Sequence, residues 1–229
     1  MIKRLAIIPA RSGSKRIKNK NIKNFLGKPI IYYAIDSLKK SKLFSRIHVS
    51  TDSNKIKNIV NKKNLKINRL RPKKLSSDSA PTMEVLKYEL KKFLKLNEKY
   101  DEIWLISACN PLLQIKDLKN AAKKFNLKKN RLSLIAVTDY AAPIEWAFEI
   151  KNNKLIPVQK NMFKVRSNKL TEKFYDCDSF AIFKPNEILS SSKYGTNARF
   201  VPYKINRELA VDIDNLRDWK YAEKLYKLI

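Results

Sequence analysis

Residues 5–22 read LAIIPARSGSKRIKNKNI, and the change of character within this stretch decides the fold. Leu5 to Pro9 is a continuous apolar run. It is too short to cross a bilayer or to form the core of a secretory leader, and the right length for a strand buried on both faces. The chain then turns into a loop carrying Gly13, the hydroxyls of Ser12 and Ser14, and the cations Arg11, Lys15, Arg16 and Lys20. A loop directly after a buried strand lies at the carboxyl edge of the sheet, where open α/β folds bind ligands. Glycine and serine let backbone N–H groups approach a phosphate, and the cations neutralise it. The spacing is neither a Walker A loop nor a dinucleotide fingerprint. Taken alone, such a loop reads equally well as a solvated basic turn.

Outward from this stretch, apolar runs alternate with amphipathic ones, the pattern of βαβ units on a parallel sheet. The periodicity predicts helices over 29–38, 54–61 and 82–94 (the last capped by Thr82), one from about Ile115, and a final one carrying Trp219, Ala222, Leu225 and Tyr226. Strands are expected at 46–50, near Ile67, and at 103–107, 132–138, 180–183, 199–201 and 210–214. Trp146–Ile150 and Lys154–Ile156 read as a hairpin turning at Asn152-Asn153. The 229 residues are read as one α/β domain, with an excursion at about 139–185 that breaks the doubly wound pattern.

The formal charge of +29 invites a nucleic-acid reading. Against it, only eleven of the fifty basic residues are arginine, and the lysines are spread along the whole chain. No helix-turn-helix, RNP or zinc-finger pattern accompanies them, so no specific nucleic-acid partner is expected. The surplus serves solubility and can draw in anionic substrates. No apolar run reaches the roughly 18 residues of a membrane span. Cys109 and Cys177 have no metal-like spacing with the single histidine, His48. They read as reduced core thiols, and the expected location is cytoplasmic.

Four further segments tip the loop toward a functional reading: Val49-Ser-Thr-Asp52, Arg71-Pro-x-x-Leu-Ser-x-Asp78, Asn110-Pro-Leu112 and Val211-Asp-Ile-Asp214. Together with the opening stretch, in this order and at this spacing, they resemble the acylneuraminate cytidylyltransferase family over nearly the whole chain. Within it, Ala142-Pro-Ile-Glu-Trp-Ala147, Val165-Arg-Ser167 and Phe174-Tyr-Asp176 are most similar to the pseudaminic acid cytidylyltransferases. The resemblance implies a Rossmann-like nucleotidyltransferase fold, with a mixed, mostly parallel sheet flanked by helices. It also implies that the excursion protrudes and forms a homodimer contact. The implied reaction joins CMP from CTP to the anomeric hydroxyl of an acidic nine-carbon sugar, a nonulosonic acid, with Mg²⁺ as cofactor and pyrophosphate leaving. Pseudaminic acid is the first choice of sugar, legionaminic and N-acetylneuraminic acids the alternatives.

Carried over position by position, the resemblance places Arg11 and Lys20 on the triphosphate, and Ser12, Gly13, Ser14 and Asn21 in the same CTP-binding loop. Arg71 and Ser79 fall on the cytidine side, and Arg166, Tyr175 and Asp176 on the sugar. Asp212 and Asp214 match the metal-binding aspartates, which with Lys20 form the catalytic set; Asp214 is a candidate proton acceptor, directly or through a bound water. The chemistry of these residue types agrees. On a strand, Asp212 and Asp214 share one face while Val211 and Ile213 share the other, and two such carboxylates suit Mg²⁺. An isolated pair of this kind also serves as an ordinary helix cap. A guanidinium such as that of Arg166 fits a carboxylate bidentately. The chain departs from the family at Lys18, where a proline is common, and at Ser107-Ala-Cys-Asn110, where many sialic-acid members have Gln-Pro-Thr-Ser. The run Asp176-Cys-Asp-Ser179 lacks the glycine usual there.

Overall fold

The structure, a computed structural model, describes residues 2–127, 132–192 and 200–229. The opening apolar run becomes β1 (Arg4–Pro9), with Leu5, Ala6, Ile7 and Ile8 all fully buried. It lies between parallel neighbours β4 (Arg46–Ser50) and β5 (Glu102–Ile106). Beyond β5 come the antiparallel β9 (Phe174–Phe183), then β6 (Leu134–Asp139) and β10 (Val201–Lys204), giving the order β10-β6-β9-β5-β1-β4. The sheet is therefore mixed and mostly parallel, as expected.

Helices cover both faces because each carries an apolar stripe. On one face α1 (Ile31–Ser41), α2 (Asn54–Asn61) and α4 (Ile115–Leu127) pack around Trp104, Ile106 and Phe180. On the other, α3 (Thr82–Lys95) and α5 (Pro185–Ser190) bury Leu86, Leu90 and Ile188 against Leu5, Ile7 and Ile103. A third cluster positions the site. Here α6 (Leu216–Tyr226) sets Trp219 against Phe25, with ring centroids 5.4 Å apart, and the cluster also buries Ile17 and Ile213. The basic loop and the Asp212–Asp214 segment are thus held together from behind by apolar side chains.

Several boundaries differ from expectation for local reasons. Helix α1 starts at Ile31 rather than residue 29, because Lys28–Pro29 (β3) pairs with Asn24–Phe25 (β2) across Leu26 and Gly27, both at positive φ. Thr82 is the first helical residue and the N-cap is Pro81, without a side-chain cap bond. Among the described residues no strand forms near Ile67, which is buried in coil, or over residues 210–214, where the chain runs beside no partner strand. In this unpaired segment Ile213 is buried while Asp212 is exposed. The strand expected at 199–201 is observed as Val201–Lys204, and Arg199 lies outside the described residues. In the excursion, β7 (Phe148–Lys151) and β8 (Lys154–Pro157) form the expected hairpin, with Asn152 and Asn153 at φ 49° and 58°. Positive φ at both central residues is what a tight two-residue turn requires.

Candidate active site

Strand β1 pairs with β4 on one side and β5 on the other, so the chain reverses its direction of growth across the sheet at β1. The crevice at the carboxyl ends of β1 and β5 is where such folds bind ligands. A cleft of about 490 Å³ opens there. Arg11, Ser14, Lys15, Arg16, Lys20 and Asn21 line it from the loop after β1, Arg71 and Asp78 from the segment before α3, Asp176 and Asp178 from β9, and Asp214 from the segment before α6.

The loop is ordered by its own partners. The backbone N–H and hydroxyl of Ser12 donate to the two carboxylate oxygens of Asp52, at 2.9 and 2.8 Å. Asn21 is buried; its side-chain N–H₂ donates to the Arg11 carbonyl at 2.9 Å, and its Oδ1 accepts from the Cys109 thiol. Asp78 pairs with Arg11 and, at 2.6 Å, with Lys15. Those two cations pull its carboxyl down to about 2. A Cβ on Gly13 would meet only Arg11 Nη1 at 3.5 Å, so the protein's own atoms leave room there, as backbone approach by a phosphate needs.

Lys20 joins the two ends of the sequence. Its Nζ donates to the Ile213 carbonyl at 2.7 Å and stands 3.6 Å from Asp214, which also pairs with Arg16 at 2.9 Å. Burial and the nearby Asp214 charge raise the Asp212 carboxyl. Asp178 is pushed up to about 6, by burial first and by the Asp212 charge second. Carboxylates that disfavour one another's ionised form are relieved by a cation. This all-oxygen donor set suits a hard dication that completes its shell with phosphate oxygens. Among the described residues, no three His, Cys, Asp or Glu side chains form a ready-made metal cage.

The remaining expected residues fall in different places. Arg71 lies buried at the cleft's inner edge, its N–H bonded to the Thr51 carbonyl and its Nε to Ser76. Desolvation lowers the pKa of its guanidinium. Ser79 is exposed and pairs with Ser77; Ser77 lines the cleft and Ser79 does not. Ser12, Gly13 and Asp212 are exposed and do not line the cleft. Tyr175 and Asp176 are adjacent on β9 and so point to opposite faces. Asp176 lines the cleft, while Tyr175 packs on the core beside Tyr140. Arg166 lines a separate shallow pocket in the excursion with Trp146, Phe163 and Val165. Sequence reasoning gave no role to Asp52, Asp78 or Asp178, although the first two end quoted motifs.

A mixed sheet, a basic loop after its first strand and a facing acidic segment define a nucleotidyltransferase. Residues 5–227 match the family model described as Cytidylyltransferase, and the chain belongs to that family. It is 33% identical over 228 residues to the pseudaminic acid cytidylyltransferase of Campylobacter jejuni, covering 99% of this chain and 97% of that one. To the CMP-N,N'-diacetyllegionaminic acid synthase of Legionella pneumophila it is 27% identical, covering 98% and 96%. The fold is that of CMP:2-keto-3-deoxy-manno-octonic acid synthetase solved with CTP, with a TM-score of 0.73 at 12% identity over 99% of both chains. A 4-diphosphocytidyl-2C-methyl-D-erythritol synthase superposes with a TM-score of 0.71 at 10% identity over 98% of both.

Proposed function

We propose that this protein transfers CMP from CTP to the anomeric hydroxyl of a nonulosonic acid, pseudaminic acid being the first choice. The observation that carries the reading is the convergence of Lys20 and Arg16 on Asp214 beneath the basic loop. It supports the reading of these cations as triphosphate-binding beside a carboxylate pair whose chemistry suits a dication. The similarity to pseudaminic acid cytidylyltransferases over full length supports the choice of sugar.

In this reading the sugar hydroxyl attacks the α-phosphorus, the bond to pyrophosphate breaks, and the hydroxyl proton passes to a carboxylate of the cleft. Arg11 and Lys15 exchange Asp78 for the triphosphate, and Lys20 with Arg16 neutralises charge growing on the leaving group. Buried Arg71 and nearby Ser77 and Ser79 form the cytidine side; Asp176 faces the acceptor. Mg²⁺, held by Asp212 and Asp214, supplies charge neutralisation at the phosphates when bound. The exposed apolar hairpin is read as the contact of a homodimer, and the reaction is placed in the cytoplasm. Among the described residues no helix is long and apolar enough to cross a membrane.

The test is pyrophosphate release from the purified protein with CTP, magnesium and a panel of pseudaminic, legionaminic and N-acetylneuraminic acids. Release with CTP but not ATP or GTP, and fastest with pseudaminic acid, is the expected result. Release fastest with another of these sugars corrects the substrate, and no release with any of them overturns the reading. Asp214→Asn is expected to cut turnover far more than it weakens CTP binding; near-normal turnover would remove Asp214 from the catalytic set.

A further inference from the structure

On β9 the pairing with β6 slips: Ala181 faces Ile135 and Asp176 faces Val137, so the residues between form a bulge. Bulges next to active sites re-aim a side chain. Here Cys177 and Ser179 turn inward and are buried, while Asp178 points into the cleft. Asp178 has φ 48°, in the left-handed region that glycine adopts without strain and most side chains avoid. The chain nevertheless keeps a carboxylate there. Ser107 Oγ donates to it at 3.0 Å, and the Asp178 N–H donates to Asp176 at 2.9 Å, fixing the direction of the side chain.

The position lies on the β9 side of the cleft, within reach of the Lys20 and Asp212 charges. Asp178 stands on β9, two strands from β1, whereas Asp78, Arg11 and Lys15 close the opposite end of the cleft. The other acids of the cleft are engaged: Asp214 by Arg16 and Lys20, and Asp176 by the Asp178 N–H. Among the described residues the Asp178 side chain accepts from a hydroxyl and forms no direct ion pair, while the Lys20 charge acts on it from a distance. A carboxylate set toward an anionic acceptor is unfavourable unless the acceptor brings a donor to it.

We propose that Asp178 is a specificity-determining residue. It selects nonulosonic acids that present a hydroxyl or amino donor to the β9 bulge over those that present a carbonyl oxygen or a methyl group there. This rests on the reading of the cleft as a cytidylyltransferase site.

The test compares wild type with Asp178→Gly and Asp178→Asn for kcat/KM on the three-sugar panel, with CTP affinity measured separately by calorimetry. Glycine suits the backbone at this position, so loss of fold does not confound the comparison. Asp178→Gly is expected to lower kcat/KM on the preferred sugar by about 10- to 100-fold, the worth of a charged hydrogen bond. The gap to the other sugars should narrow, with CTP affinity within about twofold of wild type and Asp178→Asn intermediate. An Asp178→Gly enzyme that keeps the wild-type ratios between sugars overturns the proposal and leaves the assigned reaction standing. A wild type that binds CTP and releases no pyrophosphate with any sugar overturns the reaction itself.

Discussion

The nucleotide end of the cleft and the excursion are built on opposite plans. The excursion, expected over about 139–185, is confined to about 140–173 because Phe174–Phe183 (β9) pairs with β5 and β6 inside the main sheet. At the nucleotide end, charged side chains project from a backbone whose apolar residues are buried: Ile17, Phe25 and Ile213 pack under Trp219, and Ser12 and Asn21 are tied in place. In the excursion both hairpin strands are exposed along their whole length, with Ile150 76% and Leu155 67% accessible. Phe148 packs on Phe163, and Arg166 lies nearby in its own shallow pocket. One region is complete within a single chain. The other presents a patch of large apolar side chains of the kind that marks an interaction surface. The contrast is one of construction: the nucleotide end is ordered by contacts within this chain, whereas the excursion leaves its apolar side chains uncovered.

The largest effect expected from this contrast is at Lys20. It is held by the Ile213 carbonyl beside Asp214, so Lys20→Ala removes a positioned charge rather than a mobile one. A drop in kcat of about 10²- to 10³-fold is expected, as for loss of a preorganised electrostatic group. Steady-state pyrophosphate release measures it. A loss below tenfold would mean that the nucleotide end is less preorganised than its contacts imply.

A smaller effect, on the acceptor alone, is expected from the excursion. Ile150→Glu with Leu155→Glu should halve the sedimenting mass. Because both side chains are already exposed, each change should alter monomer stability by no more than about 0.5 kcal/mol. If the excursion's surface completes the acceptor side, KM for the sugar rises in this variant and in Arg166→Ala, while CTP affinity holds. An unchanged mass with an unchanged acceptor KM would break the comparison, leaving the hairpin an ordinary exposed turn.

Legibility in the sequence follows the same divide. Strand β1 could be read because burial on both faces leaves an unbroken apolar run, and α2 because its stripe keeps the helical period. Strand β9 was visible only at Phe180–Phe183. Its first half alternates, but with charged Asp176 and Asp178 on one face and small Cys177 and Ser179 on the other it lacks an apolar run, and the register slips between Asp176 and Ala181. The aspartate pair lost its expected strand, since pairing needs a neighbour that sequence cannot supply, and of the two only Asp214 lines the cleft. The cations of the loop were legible as residue types. Their partners Asp52 and Asp78 were not, because those contacts join residues 40 and 67 positions apart. Tyr175 and Asp176 could not both face one pocket from adjacent strand positions, which the strand's true extent makes plain.

The smallest effect probes why the nucleotide end is stiff. Beneath it, buried Glu89 accepts from Ser50 Oγ at 2.7 Å and from Lys92 at 2.9 Å, and lies 3.2 Å from His48. This network braces the end of β4, from which Thr51 holds Arg71 and Asp52 holds Ser12. Burial pushes the Glu89 carboxyl up, but His48, Ser50 and Lys92 together outweigh it and bring it down to about 2. A carboxyl depressed in the folded state adds stability at pH values above its ordinary value of about 4.5. That contribution is lost as pH falls from there toward about 2. Glu89→Gln, which keeps the shape and loses the charge, is expected to cost about 1–3 kcal/mol at pH 7. Its unfolding free energy should then fall less steeply than wild type between about pH 4.5 and pH 2. In the excursion, Glu145 is also depressed, by Lys173, but sits where little else depends on it. Glu145→Gln should therefore leave CTP affinity unchanged, whereas Glu89→Gln should weaken it through Arg71 and the loop. Urea titrations across this pH range, paired with CTP calorimetry at pH 7, separate the two. Equal CTP affinities in both variants would show that the loop's order comes from the α6 cluster alone and owes nothing to the network beneath β4.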